Sequence, residues 1–183
     1  MEPAELAAVA FGVGYILLAI REHRACWIAG GISTAIYAAV FWRAGLPMQA
    51  ALQLVYVAMS AWGWFAWRSA GREPPPRSWP AMRHVAATAG VALATAVSAP
   101  LAAKYSLSAA PIADSLGTWA SLVATWLLAR RIIDTWVWWI VIDAGLAALF
   151  IWQGLALTGA LYVAYALLAG LGWRSWRRNR ELS

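Results

Sequence analysis

The sequence predicts an all-α integral membrane protein of seven transmembrane helices. Three observations carry that reading. Hydrophobic residues make up 63% of the 183-residue chain and charged residues only 12%, against about a quarter charged in soluble domains. Long apolar runs alternate with short basic connections, and the bases fall almost entirely on one side of the resulting topology. A set of rare residues then recurs at one fixed spacing, as expected of a fold built from two related halves.

The first run, about Ala4 to Ile20, carries Glu2 and Glu5 and no base at its amino-terminal flank. A secretory signal carries bases there, so the run is read as a retained helix. Arg21, Glu22, His23 and Arg24 end it. A second run spans Trp27 to Trp42, with Gly30 and Gly31 permitting close helix approach, and Arg43 closes it. Pro47 suits the first turn of a third helix, where a missing N–H costs nothing, and that helix is expected to run to Trp67. The stretch from Arg68 to Arg83 holds Pro74, Pro75, Pro76 and Pro80 and reads as a loop. The fourth helix covers Met82 to Ala103, the fifth Asp114 to Ala129, the sixth Trp136 to Gly154 and the seventh Leu157 to Trp176.

Arg21, Arg24, Arg68, Arg72, Arg77, Arg83, Arg130, Arg131, Arg174, Arg177, Arg178 and Arg180 lie on one side, and only Arg43 and Lys104 on the other. Bases in short loops stay cytoplasmic, so the amino terminus is expected outside and the carboxyl terminus inside. The same arrangement explains the net charge of +6 as topology information, and no nucleic-acid partner is expected. The single cysteine, Cys26, allows no internal disulfide, and with His23 and His84 far apart no metal site is expected.

Gly63-Trp64-Phe65-Ala66-Trp67 and Gly172-Trp173-Arg174-Ser175-Trp176 are 109 residues apart. At that spacing Arg21 meets Arg130, Trp27 meets Trp136, Phe41 meets Phe150, Gly45 and Leu46 meet Gly154 and Leu155, Tyr56 meets Tyr165, and Arg68 meets Arg177. Residues 4–68 and 114–176 are thus two three-helix units joined by a linker helix over 82–103, a 3+1+3 arrangement. One intervening helix makes the two units parallel, and carriers of that type bind substrate near the midplane between the units.

Asp143 sits near the middle of the sixth run, where an acid costs roughly 2.5–3.5 kcal/mol on insertion scales and therefore marks a functional site. Trp139, four residues earlier, shares its helical face. A carboxylate beside an indole suits a small cation, through charge and cation–π contact. The alternative is a packing role, with Asp143 hydrogen-bonded to a neighbouring helix. Asp143 aligns with Thr34 at the repeat spacing, so one half offers a carboxylate where the other offers a hydroxyl. Asp114 either caps the fifth helix or serves near the outer entrance. Asp134 is expected to partner Arg130 and Arg131 in solvent. Gln53, Tyr56 and Ser60 form a polar line on the third helix, and Ser121 points with Asp114; such lines either border a path or bond helices together. Trp119 and Trp126 either stack a ring or fill the core, with core filling favoured. No nucleophile–base pair or phosphate loop is visible, and the only lysine, Lys104, lies in a loop, unlike that of a retinal receptor.

These residues resemble the PnuC family of bacterial vitamin transporters. The resemblance covers Trp27 to Trp176 and rests on the Gln53 region with Gly63–Trp67, Asp114-Ser115 with Ser121, Arg130-Arg131, Trp136–Asp143, Gln153-Gly154 and Gly172–Trp176. It implies a fold similar to an enlarged SWEET unit, a homotrimer in the bacterial inner membrane, no cofactor, and facilitated diffusion of nicotinamide riboside or a related vitamin, trapped by cytoplasmic phosphorylation. Members that look like nicotinamide riboside carriers have Asn where Asp143 stands and Asn-Gly where this chain has Ala169-Gly170. An acid and a methyl in place of two amides change what a buried site can pair with, and tilt the expected substrate toward thiamine, a cation with fewer hydroxyls. The substrate-binding residues expected on this reading are Asp143, Trp139, Thr34, Gln53, Tyr56, Asp114, Ser121 and Trp119. An intramembrane enzyme using Asp114 and Asp143 is the alternative from another class, and would require the two acids to converge.

Overall fold

The structure is a computed structural model describing residues 3–43, 47–67, 76–105, 110–152, 154 and 156–181. Expectations for Gly45, Leu46, Arg68, Arg72, Gln153 and Leu155 lie outside those residues. The described residues form seven helices: α1 (Pro3–Ile20), α2 (Cys26–Arg43), α3 (Pro47–Ala66), α4 (Ala81–Lys104), α5 (Pro111–Ala129), α6 (Thr135–Trp152) and α7 (Ala156–Glu181). Among them α1, α4, α5 and α6 are long and apolar enough to cross a bilayer. Helices are the natural solution there, because lipid offers no partner to an open backbone.

Three boundaries depart from the sequence reading by more than one residue. α5 begins at Pro111, three residues before Asp114, because proline's fixed φ already suits the first helical turn. α6 stops at Trp152, and Gly154 takes a φ of +79°, a left-handed conformation that terminates a helix and that glycine adopts without strain. α7 continues through its basic end to Glu181, where Arg177 and Glu181 pair at 3.9 Å.

The chain divides into two compact units, one holding α1–α3 and the other α4–α7. In the first, α2 packs against both α1 and α3. The Trp27 ring fills a notch at Gly63, where a Cβ would stand less than 3.0 Å from the indole. Trp67 meets the edge of Trp27 at 5.6 Å and 89°. In the second unit α6 packs on α5 and α7, and α4 on α5. Trp136 fills the same kind of notch at Gly172, and Trp176 meets it at 5.6 Å and 83°.

The likeness extends to the backbone. The turn after α1 places Glu22 at φ 56°, with Glu22 N donating to Ala19 O at 3.0 Å and His23 N to Leu18 O at 2.9 Å. The turn after α5 places Arg131 at φ 56°, with Arg131 N donating to Leu128 O and Ile132 N to Leu127 O, both at 2.9 Å. Each is a Schellman closure, which satisfies the last helical carbonyls through one left-handed residue. Every residue in the second turn stands 109 positions after its counterpart, as do the bounds of α6 relative to those of α2.

A short extended segment closes one end of the second unit. Arg77 N donates to Arg131 O at 3.0 Å and Ile133 N to Arg77 O at 2.8 Å, and Arg180 bonds Ser78 at 2.9 Å. This strap ties the approach to α4 to the α5–α6 turn.

Candidate functional site

Asp143 is the ninth of the 18 residues of α6, and only 7% of its surface is exposed. The buried stripe of that helix runs Trp136, Asp143, Ala147, a spacing of seven and four that keeps one face. Trp136 lies against Gly172 of α7, and the Ala147 carbonyl lies against Gly159 of α7. Asp143, between them on the same stripe, belongs to the α6–α7 seam. Its carboxylate has no hydrogen-bond or ion-pair partner among the described residues, although a buried charge is ordinarily paired or bonded. Trp139, one turn earlier, is half-buried.

Thr34 occupies the corresponding place on α2, whose buried residues include Trp27 and Ala38. Its hydroxyl donates back to Gly30 O at 2.9 Å and to Gly31 O at 3.2 Å. A hydroxyl can satisfy itself on its own helix in this way. An ionised carboxylate, which only accepts, cannot. The two related positions therefore differ in kind: one is closed on itself and the other is open. On α3, Gln53 and Tyr56 are half-buried, and Ser60 is buried beside Gly31 of α2.

Four expectations are corrected. Asp114 does not cap α5: Ala110 is the N-cap residue, without a side-chain bond, and Asp114 is an exposed residue of the first turn. Asp134 is held not by Arg130 and Arg131 but by residues 50 and more positions away. Its carboxylate accepts from Trp79 N at 2.6 Å and lies 3.2 Å from His84 Nε2. Trp119 is 38% exposed and so does not fill the core; its indole N–H donates to Ser98 on α4 at 3.0 Å. Trp126, also 38% exposed, lies tilted against Trp79 at 5.5 Å with Arg130 over its face at 5.5 Å. Ser121 is half-buried on α5, and its carbonyl accepts from Thr125.

Sequence reasoning missed a second feature of the α4–α7 unit. A groove of about 660 Å³ runs between α4, α5 and α6, bordered by Val91, Gly117, Ala120, Val141, Gly145 and Leu146 among others. His84 and Trp138 stand at its polar end, where Trp138 Nε1 donates to His84 Nδ1 at 3.2 Å. None of the eight residues expected to bind substrate lines it. Its one local signal is a pair of glycines inside apolar helices, Gly117 and Gly145. Among the described residues no group of three His, Cys, Asp or Glu side chains is placed to hold a metal ion.

Comparison with known proteins gives consistent results. The family profile described as nicotinamide mononucleotide transporter matches residues 2–178. The riboflavin/roseoflavin transporter RibM of Streptomyces davaonensis is 28% identical, over 90% of this chain and 80% of its own. The nicotinamide riboside transporter PnuC of Escherichia coli is 24% identical, over 94% of this chain and 86% of its own. The crystal structure of a vitamin B3 transporter PnuC superposes with a TM-score of 0.75 at 22% identity, covering 98% of this chain and 82% of that one, and shares its fold.

Proposed function

We propose, from the premise that this chain belongs to the nicotinamide mononucleotide transporter family, that it takes up a small cationic B vitamin by facilitated diffusion, with Asp143 as counter-charge and Trp139 as stacking surface. The chain is a multi-pass membrane transporter and not an enzyme. The observation that carries the cationic reading is the buried carboxylate of Asp143 at the α6–α7 seam, with no partner among the described residues. A bound cation supplies the missing charge, and the half-buried indole one turn away supplies a face for it.

The matched turns, notches and helix bounds at a spacing of 109 support a 3+1+3 organisation, with residues 4–68 and 114–176 as parallel three-helix units and 82–103 as linker. Thr34, Gln53, Tyr56, Ser121, Asp114 and Trp119 are the further substrate-binding candidates we propose, each to be tested by substitution. The twelve-to-two division of bases supports an outside amino terminus in a bacterial inner membrane. A homotrimer is the assembly we propose, by analogy with the family resemblance. Thiamine is the favoured substrate and nicotinamide riboside the alternative. RibM, a relative named for riboflavin, motivates a flavin reading as well, but a neutral flavin ring leaves the Asp143 carboxylate without a counter-charge.

The test is binding of labelled thiamine, nicotinamide riboside and riboflavin to the purified protein, with Asp143→Asn and Asp143→Ala variants. The reading expects a cationic vitamin to bind and both variants to weaken it by at least about tenfold, equivalent to roughly 1.4 kcal/mol. Intact binding in Asp143→Ala sinks the counter-charge role, and binding of riboflavin alone sinks the cationic substrate.

A further inference from the structure

The apolar groove of the α4–α7 unit is separate from every residue assigned to the vitamin, and its dimensions and lining identify another kind of ligand. Along α6 it extends from Trp138 to Leu149, eleven residues, or about 16 Å at the helical rise. That length is close to half the roughly 30 Å thickness of a bilayer's hydrocarbon core, within the reach of one acyl chain that passes the level of Asp143. His84, Thr88 and Trp138 are the polar side chains on its wall. Both His84 ring nitrogens are already engaged, Nε2 by Asp134 and Nδ1 by the Trp138 indole.

These facts decide between occupants. A vitamin fits by volume, since sites for small molecules span about 300–1,000 Å³. It would nevertheless leave its hydroxyls and amides unpaired against the apolar wall, which is costly. A hydrocarbon chain matches both the length and the apolar wall. The polar end has the chemistry of a headgroup collar. Trp79 and Trp126 pack together there with Arg130 over Trp126, and Arg83 is exposed beside His84. Indoles and bases at that level are the usual anchors of a membrane–water interface, and exposed arginines complement an anionic phosphate.

We propose that this groove is a binding site for one acyl chain of an anionic phospholipid, with its phosphate toward Arg83 and Arg130. Two glycines create the space. A Cβ at Gly117 or Gly145 would meet nothing within 4 Å, and both positions border the groove, so a side chain can start there without a clash at its first carbon.

The test uses the full-length protein in vesicles of phosphatidylglycerol and phosphatidylcholine, with a trace of phosphatidylglycerol carrying a photoreactive group midway along its acyl chain. Labelled positions are mapped by mass spectrometry. The proposal expects label concentrated at the groove on α5 and α6, a fall of at least fivefold in Gly117→Leu or Gly145→Leu, and a smaller fall in Arg83→Ala with Arg130→Ala. Thermal midpoints of the leucine variants, measured alongside, are expected to stay at or above that of the parent, which separates filling from misfolding. Label spread over lipid-facing helices in proportion to exposure overturns the proposal, as does equal labelling from a phosphatidylcholine probe. Crosslinks between two copies through cysteines at Leu116 and Val141 would assign the groove to a second copy instead. Vitamin binding is read separately in the same variants, and its loss in parent protein bears on the transport reading without bearing on the groove.

Discussion

Replacing Gly63 or Gly172 with alanine tests the packing on which each three-helix unit depends. In an ordinary helical position the exchange stabilises, by up to about 1 kcal/mol, because alanine loses less backbone entropy. At these two positions a Cβ would stand less than 3.0 Å from several indole atoms of Trp27 or Trp136, where ordinary contacts begin near 3.5 Å. Neither ring can retreat. Trp27 is 1% exposed and Trp136 4%, and Trp67 and Trp176 pack against their edges at 5.6 Å. Overpacking of this kind costs about 1–3 kcal/mol, which exceeds the entropic gain. For a chain of this size a kilocalorie moves the midpoint by about 2–4 °C. Gly63→Ala and Gly172→Ala are therefore each expected to lower the melting midpoint by about 2–10 °C in detergent, by similar amounts. The assay is size-exclusion chromatography of heated samples, with Gly14→Ala and Gly90→Ala as controls whose Cβ would meet nothing within 4 Å. Trp27→Phe combined with Gly63→Ala is expected to recover part of the loss, since the two changes share one space. If Gly63→Ala and Gly172→Ala behave like the controls, the notch argument fails in both units.

Two further outcomes follow from the turns and the strap. Glu22 holds a left-handed conformation at φ 56° that glycine adopts without the roughly 1 kcal/mol steric cost; Glu22→Gly should raise the midpoint by about 2–4 °C, and a fall would mean that the glutamate side chain contributes more than the backbone strain it imposes. Asp134→Ala removes the acceptor of the Trp79 amide and the partner of His84. The pair is partly exposed, so a loss of about 1–2 kcal/mol is expected, together with faster hydrogen exchange at Trp79 and Ile133; unchanged exchange there would show that the backbone pairing with Arg77 holds the strap unaided.

Much of this architecture was legible in the amino-acid order, for a physical reason. A backbone in hydrocarbon must satisfy its own hydrogen bonds, so an apolar run of sufficient length has essentially one fate. The seven runs therefore emerge as helices, with differences of more than one residue confined to ends where Pro111, Gly154 and the basic tail of α7 decide. The spacing of 109 was equally legible, because Trp and Gly at a knob-and-notch contact cannot be exchanged independently. The acid at Asp143 could be singled out because its cost depends on depth, and depth is read from position in the run.

The tertiary structure decided which polar groups meet. Sequence proximity points Asp134 to Arg130 and Arg131, yet its carboxylate turns to Trp79 and His84, which the strap brings across from the start of α4. Trp119 lies at the surface with its indole tied to Ser98, since periodicity cannot say whether an aromatic faces a neighbouring helix or its edge. The groove between α4, α5 and α6 is likewise a property of three helices together. Gly117 and Gly145 become an opening only when the third wall, on α4, stands opposite them. Sequence determines what each helix is, because the membrane judges each run separately; the pairing of side chains over tens of residues is settled only when the helices pack.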